Sequence, residues 1–198
     1  MRLFIAVNFN ETVKERILEV QAGIRAQASR GNFSRRENLH LSLAFLGETP
    51  EDRLPLIRSC MEALRGPPFT LTFNHTGCFS RGGKELWWLG AEEGPGMNRL
   101  REIRRRLCTG LLEAALAFDG RPFKAHITLG REIRSPVPVR MPPVNIGVPV
   151  ERISLMLSEH RTAGSIPAGK TAPGSSPTGK KLLVYTELYG QSLRFAGV

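Results

Sequence analysis

Cysteine is scarce in this chain: Cys60, Cys78 and Cys108 are the only three in 198 residues, and no two of them form a CxxC pair. That excludes a disulfide framework and a zinc cluster of the usual spacing, and the thiols read as reduced. No HExxH occurs either, and the carboxylates nearest the candidate histidines, Glu37, Glu48 and Glu132, have no metal-ligand spacing. Long hydrophobic runs are missing, since none approaches the ~20 residues needed to span a bilayer. The opening MRLFIAVNFN is apolar only as far as Asn8 and no small-residue cleavage site follows it. Negative charge is also short, with 18 acidic against 28 basic side chains, a net charge of +10 and a pI near 10.4. The expectation is a cytoplasmic monomer with no membrane association, no metal, no cofactor and no protein partner. Its surface should favour polyanions such as nucleic acid or phosphorylated ligands.

What the sequence does contain is an alternation of strand and helix signals, with enough apolar residues, 41%, to build a core. Short apolar runs predict strands at 3–7, 39–46, 69–73, 85–89, 123–129, 153–157 and 182–188. Thr12 and Glu15 have the spacing of a capping box, and Val13, Ile17, Val20 and Ile24 recur on one helical face behind them. A second helix carries Leu54, Ile57, Met61 and Leu64, with Pro55 tolerable in its first turn. A third, over 98–118, buries Leu100, Ile103, Leu107 and Leu111 and carries an arginine run from Arg99 to Arg106. That run reads as a solvated face before it reads as an RNA platform. A loop containing Gly77, Gly82 and Gly83 should join the strands at 69–73 and 85–89, and a proline-rich connection fills 135–149. Residues 161–181, rich in Gly, Pro, Ser and Thr, read as a flexible loop. The whole, residues 1–198, should be one α+β domain of two lobes, with approximate halves 1–92 and 93–198.

One short pattern occurs twice. His40-Leu41-Ser42-Leu43 in the first half is echoed by His126-Ile127-Thr128-Leu129 in the second, 86 residues on, and each copy sits in an expected strand. Side chains alternate faces along a strand, so His40 lies beside Ser42, and His126 beside Thr128, with aliphatic residues behind. A single histidine in a strand is most simply structural, but the duplication points to two polar faces meeting across one cleft. Two imidazoles titrating near neutrality can divide acid and base roles at a phosphorus centre, with the hydroxyls donating to non-bridging oxygens. Arg131 follows the second motif and has the planar fork that suits phosphate. No metal is needed for this chemistry, and from the residues alone the two histidines are interchangeable. His75 and His160 lack such a setting and read as structural or surface residues.

With RLFIAV, ENLHLSLAFLGE, ELWWLG, HITLGR, ISLM and VYTEL, the chain resembles the RNA 2′,3′-cyclic phosphodiesterase family, also called the 2′-5′ RNA ligase family, within the two-histidine phosphoesterase superfamily. The resemblance implies a bilobal two-histidine phosphoesterase fold, with pseudo-symmetric antiparallel sheets lining a central cleft. It also implies metal-independent hydrolysis of an RNA 2′,3′-cyclic phosphate end to a 2′-phosphate, tRNA fragments being one such substrate, with reversible 2′-5′ ligation as a lesser activity. Under it, His40 is the proton donor, His126 the proton acceptor, and Ser42, Thr128 and Arg131 bind the phosphate. Two departures stand out: Ser42 occupies a position where threonine is commoner, and Arg36 one where proline is common. Two other readings compete. The chain could be a phosphodiesterase for small cyclic nucleotides or 2′-5′ oligonucleotides, or a basic RNA-binding protein whose histidines are structural.

Overall fold

The computed structural model describes residues 1–82, 84–141, 143–162 and 181–194. Among them, nine strands and three α-helices follow the order β1 (Arg2–Asn8), α1 (Glu11–Gln27), β2 (Arg30–Phe33), β3 (His40–Glu48), α2 (Leu54–Glu62), β4 (Phe69–Arg81), β5 (Lys84–Ala91), α3 (Pro95–Glu113), β6 (His126–Arg134), β7 (Ile146–Val150), β8 (Arg152–Thr162) and β9 (Lys181–Ser192). The class is α+β. The strands form one curled antiparallel sheet in the order β7-β4-β5-β6-β3-β1-β8-β9, with β2 added against β6.

The β6–β3 junction divides this order into four strands on each side. The order does not follow the chain: β4 and β5 join β6 and β7, while β8 and β9 return to β1 and β3. The sheet's halves therefore do not coincide with a division of the sequence at residue 92. At the junction β3 and β6 pair antiparallel through Leu41 opposite Ile127, so the centre of the sheet is the centre of the two motifs.

The helices cover one face of the sheet. Ile17 and Ile24 of α1, Ile57 and Met61 of α2, and Leu100, Ile103, Leu107 and Leu111 of α3 are almost wholly inaccessible and pack with Leu41, Leu71, Leu89, Ile127 and Leu155 of the strands. Each such side chain contributes ~1.5–3 kcal/mol by leaving water, so this face holds the sheet's curvature in place. The opposite face carries a small apolar cluster, Phe4, Ala6 and Met156 with Tyr185 against it, and, apart from it, Phe79 and Trp88 beside His126.

Several elements differ from the sequence reading. α1 starts two residues earlier than a Thr12 cap would allow, because the Asn10 side chain accepts the amide of Val13 at 2.9 Å. β4 runs on through Gly77 to Arg81 and turns at Gly82, whose φ is 58°, so the expected glycine loop is a tight hairpin with β5. α3 begins at Pro95, where the missing N–H of proline costs nothing, and ends at Glu113. β6 begins at His126 instead of residue 123. The proline-rich stretch contains β7, on the outer edge of the sheet, where Pro149 is tolerated. Of the expected loop 161–181, Arg161 and Thr162 end β8 and Lys181 opens β9, paired Arg161 to Leu182 and Thr162 to Lys181. Residues 163–180 lie outside the described residues.

Candidate active site

The two motifs meet on the open face. Because Leu41 pairs with Ile127, His40 lies opposite Thr128 and Ser42 opposite His126. The two histidines are thus diagonal neighbours on adjacent strands, roughly 7–8 Å apart along the backbone. Leu41 and Ile127 point into the core and are fully buried, while the four polar side chains are half-buried on the other face.

Both motifs end in the same irregularity. In β3 the register against β1 passes from Ala6 opposite Ser42 to Ile5 opposite Ala44, which leaves Leu43 as an extra residue. In β6 the register against β5 passes from Trp88 opposite Thr128 to Trp87 opposite Gly130, which leaves Leu129 extra. Each bulge falls three residues after its histidine and reverses the alternation beyond it. Simple period-two counting would send Phe45 and Arg131 to the helix side. The bulges return both to the face of the histidines, and both are exposed.

The bulges are secured from elsewhere in the chain. Leu43 O accepts Arg104 Nε at 3.1 Å, and Leu129 O accepts Gln21 Nε2 at 2.8 Å and the Ser34 amide at 2.9 Å. Gln21 is 4% exposed and also donates to Ser34 O at 2.7 Å, so α1 clamps the bulge of β6.

Both imidazoles are held alike. His40 Nδ1 lies 2.7 Å from Asn38 O, and His126 Nδ1 lies 2.7 Å from Lys124 O. A carbonyl can only accept, so Nδ1 carries the proton and, in the neutral ring, Nε2 is left as an acceptor. His40 Nε2 is 2.9 Å from Ser42 Oγ, whose hydroxyl donates to it in that tautomer.

Their surroundings differ. His40 is enclosed by Phe4, at 4.9 Å between ring centroids, and by Tyr185, edge-on at 5.1 Å. Burial, and then the positive charge of Arg131, push its pKa down to about 4. His126 meets Phe79 at 6.0 Å and Trp88 at 6.4 Å; burial, and then the charges of Arg131 and Lys124, lower its pKa too. Arg131 therefore acts on both rings at once, and its charge reaches Tyr185 as well. At pH 7 the free site holds two neutral imidazoles beside a cation without a carboxylate partner among the described residues, an arrangement primed for an anion.

The other sequence candidates lie elsewhere. His75 and His160 are exposed, His75 on β4 and His160 on β8. The arginine run is committed to structure: Arg99 donates to Arg65 O, Arg101 pairs with Glu93, Arg105 and Arg106 pair with Glu102, and Arg104 holds Leu43 O while lying over Phe123. A helix so paired is not a free basic face, which removes the support for a purely charge-driven RNA-binding protein. Among the described residues no cluster of three His, Cys, Asp or Glu side chains could hold a metal ion, and no helix is long and apolar enough to cross a membrane. Phe4, Phe79, Trp88, Lys124 and Tyr185 adjoin the histidines and Phe45 meets Phe4 at 6.1 Å, and sequence reasoning assigned none of them to the site. Phe45 could have been found by aligning the two motifs, where it occupies the place of Arg131.

The profile of the 2′-5′ RNA ligase superfamily matches residues 11–159, which include both motifs. The chain belongs to this superfamily. Among its relatives, the RNA 2′,3′-cyclic phosphodiesterase of Thermus thermophilus is 38% identical over 173 residues, covering 84% of this chain and 86% of the relative. That of Escherichia coli is 29% identical over 157 residues, covering 79% and 86%. The crystal structure of TT0787 of Thermus thermophilus superposes over the full length of both chains with a TM-score of 0.74 and 31% identity. Escherichia coli LigT in complex with 3′-AMP does so over 97% of both chains with a TM-score of 0.75 and 26% identity. The superfamily thus accounts for the paired motifs and for the sheet that joins them.

Proposed function

We propose that this chain is a metal-independent RNA 2′,3′-cyclic phosphodiesterase, a cytoplasmic monomer acting on RNA fragments, tRNA fragments among them, that end in a cyclic phosphate. Both lobes contribute to one catalytic unit. The observation that carries this reading is the pairing of Leu41 with Ile127, which brings an imidazole and a hydroxyl from each motif to one face. The phosphodiesterase names of its relatives in Thermus thermophilus and Escherichia coli supply the substrate class.

In the reaction, water attacks the phosphorus and the bond to O3′ breaks. His126 Nε2, free to accept in its tautomer, takes the proton from water. His40 delivers a proton to O3′, so the products are a 2′-phosphate and a free 3′-hydroxyl. The resemblance to the family assigns donor and acceptor; the hydrogen bonds of the two rings are nearly symmetric. Ser42, Thr128 and Arg131 donate to the non-bridging oxygens, where charge accumulates as water adds. His40 is neutral in the free site, through burial first and Arg131 second, and acquires its proton as the negative charge of bound phosphate favours the imidazolium. Phe45, 48% exposed on the same face, offers a ring on which the terminal base can stack.

The test is incubation of the protein with an oligonucleotide ending in 2′,3′-cyclic phosphate, with and without EDTA, and identification of the product. A 2′-phosphate formed at the same rate in EDTA supports the reading. A 3′-phosphate, no reaction, or loss of activity in EDTA with rescue by a divalent metal overturns it.

A further inference from the structure

Beside the histidine face lies a cavity of about 370 Å³ that the two-histidine chemistry does not use. Its apolar wall is formed by Trp88, Met97 and Phe123, and its polar groups include Asn74, His75 and Glu92. It is one ring away from the reacting centre, for Trp88 meets His75 on one side at 5.6 Å and His126 on another at 6.4 Å. It also shares a segment with that centre. Lys124 and Ala125 line the cavity, and Lys124 O holds His126 Nδ1.

The cavity is built by glycines. A Cβ at Gly90 would lie 2.3 Å from His75 Nε2 and 2.7 Å from the Trp88 ring, and one at Gly77 would lie 2.4 Å from that ring. Only bare backbone at these two positions lets both rings lie down along the sheet and leave space above. At its mouth the Lys124 ammonium sits 4.1 Å over Trp88 and 5.0 Å over Phe79, with no carboxylate partner among the described residues. Phe79 is 42% exposed beside it.

We propose that this cavity is a subsite for the nucleotide on the 5′ side of the cyclic phosphate, so that the enzyme reads an RNA chain end and not a lone nucleotide. The inference rests on the phosphodiesterase reading of the histidines. The chemistry divides the ligand: the apolar wall and the acceptors Asn74 and Glu92 suit a base with amino groups, while a carboxylate so placed would repel a phosphate. Arg101, the other cation of the lining, is paired with Glu93, so the linking phosphate belongs on Lys124, between the cavity and His126. Aromatic wall and flexible cation are the pairing by which proteins hold single-stranded nucleic acid without strict sequence preference.

The experiment compares kcat/KM for a 2′,3′-cyclic mononucleotide and for a trinucleotide with the same end. The wild-type protein should prefer the trinucleotide by ~10-fold or more, the effect of one engaged base. His75→Ala, which removes one side of the cavity, and Ala91→Leu, which fills it from another lining position, should each abolish most of that preference, and Lys124→Gln should lower the salt dependence of trinucleotide turnover by about one phosphate contact. Equal kcat/KM for the two substrates in the wild type, or an undiminished preference in both cavity variants, overturns the subsite while leaving the phosphodiesterase reading intact. Equal losses on both substrates would assign the cavity to the terminal nucleotide and also overturn the proposal. Turnover of neither substrate by the wild type would remove the reading on which it rests, and the proposal with it.

Discussion

His40 and His126 make the same hydrogen bond to the carbonyl two residues upstream, yet Phe4 and Tyr185 enclose the first more fully than Phe79 and Trp88 enclose the second. If each carries a proton, loss of either imidazole should lower turnover by ~10²-fold or more, and His40→Ala or His126→Ala assayed on a cyclic-phosphate RNA checks this. Activity needs one ring protonated and one neutral. With His40 held near 4 and His126 below its ordinary 6.5, the optimum of kcat/KM, which reports the free enzyme, should lie on the acid side of 6.5. The optimum of kcat should lie higher, because bound phosphate favours the imidazolium. Arg131 lowers both rings, so Arg131→Gln should move the kcat/KM profile to higher pH while weakening phosphate binding; an unmoved profile would show that its charge does not reach the site. His40 also links stability to pH. The unfolded ring, of ordinary pKa, binds a proton more readily than the folded one, so stability should fall as pH drops from 6.5 towards 4. The loss is on the order of 3 kcal/mol, and urea titrations of the wild type and His40→Asn should diverge in that window.

At the scale of elements, what the sequence disclosed depends on how local each signal is. The stripes Ile17–Ile24 and Leu100–Leu111 repeat at helical spacing, and α1 and α3 are where they point. β2, RGNF, has no alternation and almost no burial, and exists because β6 offers it an edge. β7 was hidden by Pro149, which is harmless only because the partner strand β4 lies on one side of it. The bulges were least legible. Nothing in HLSLAF or HITLGR marks the extra residue, and the bonds that hold it come from Arg104 and Gln21, 61 and 108 residues away. Gln21→Leu keeps the volume but strips Leu129 O and Ser34 O of a buried donor. It should cost ~1–3 kcal/mol of stability and, by loosening the bulge that aims Arg131, raise KM for cyclic phosphate ends, although Gln21 is buried beneath the strand. Chemical denaturation together with steady-state kinetics tests both halves of this expectation.

For the whole molecule, interleaving is the main fact. One half of the sheet, β4 to β7, comes from the middle of the chain and the other, β1, β3, β8 and β9, from its two ends, so neither half of the sequence can close the site alone. The charge of +10 acts at this scale too, as a field drawing RNA toward an open face on which Arg131 and Lys124 lack carboxylate partners among the described residues. Turnover of a cyclic-phosphate oligonucleotide at sub-saturating concentration should therefore fall steeply between about 50 and 200 mM salt, as expected where several phosphates are neutralised (~10-fold or more). That of a cyclic mononucleotide should fall much less. The amino-acid sequence by itself determined the residue types of the site, because His-x-Ser/Thr in an alternating strand can place a histidine and a hydroxyl only on the same face. It also determined the helix stripes, which depend on neighbours three and four residues apart. Only the tertiary structure decided that the two motifs touch, that Phe45 and Arg131 turn toward them, and that Phe4 and Tyr185 make the two histidines unequal. Each of those depends on strand order, register and burial, which arise from contacts between residues far apart in the chain.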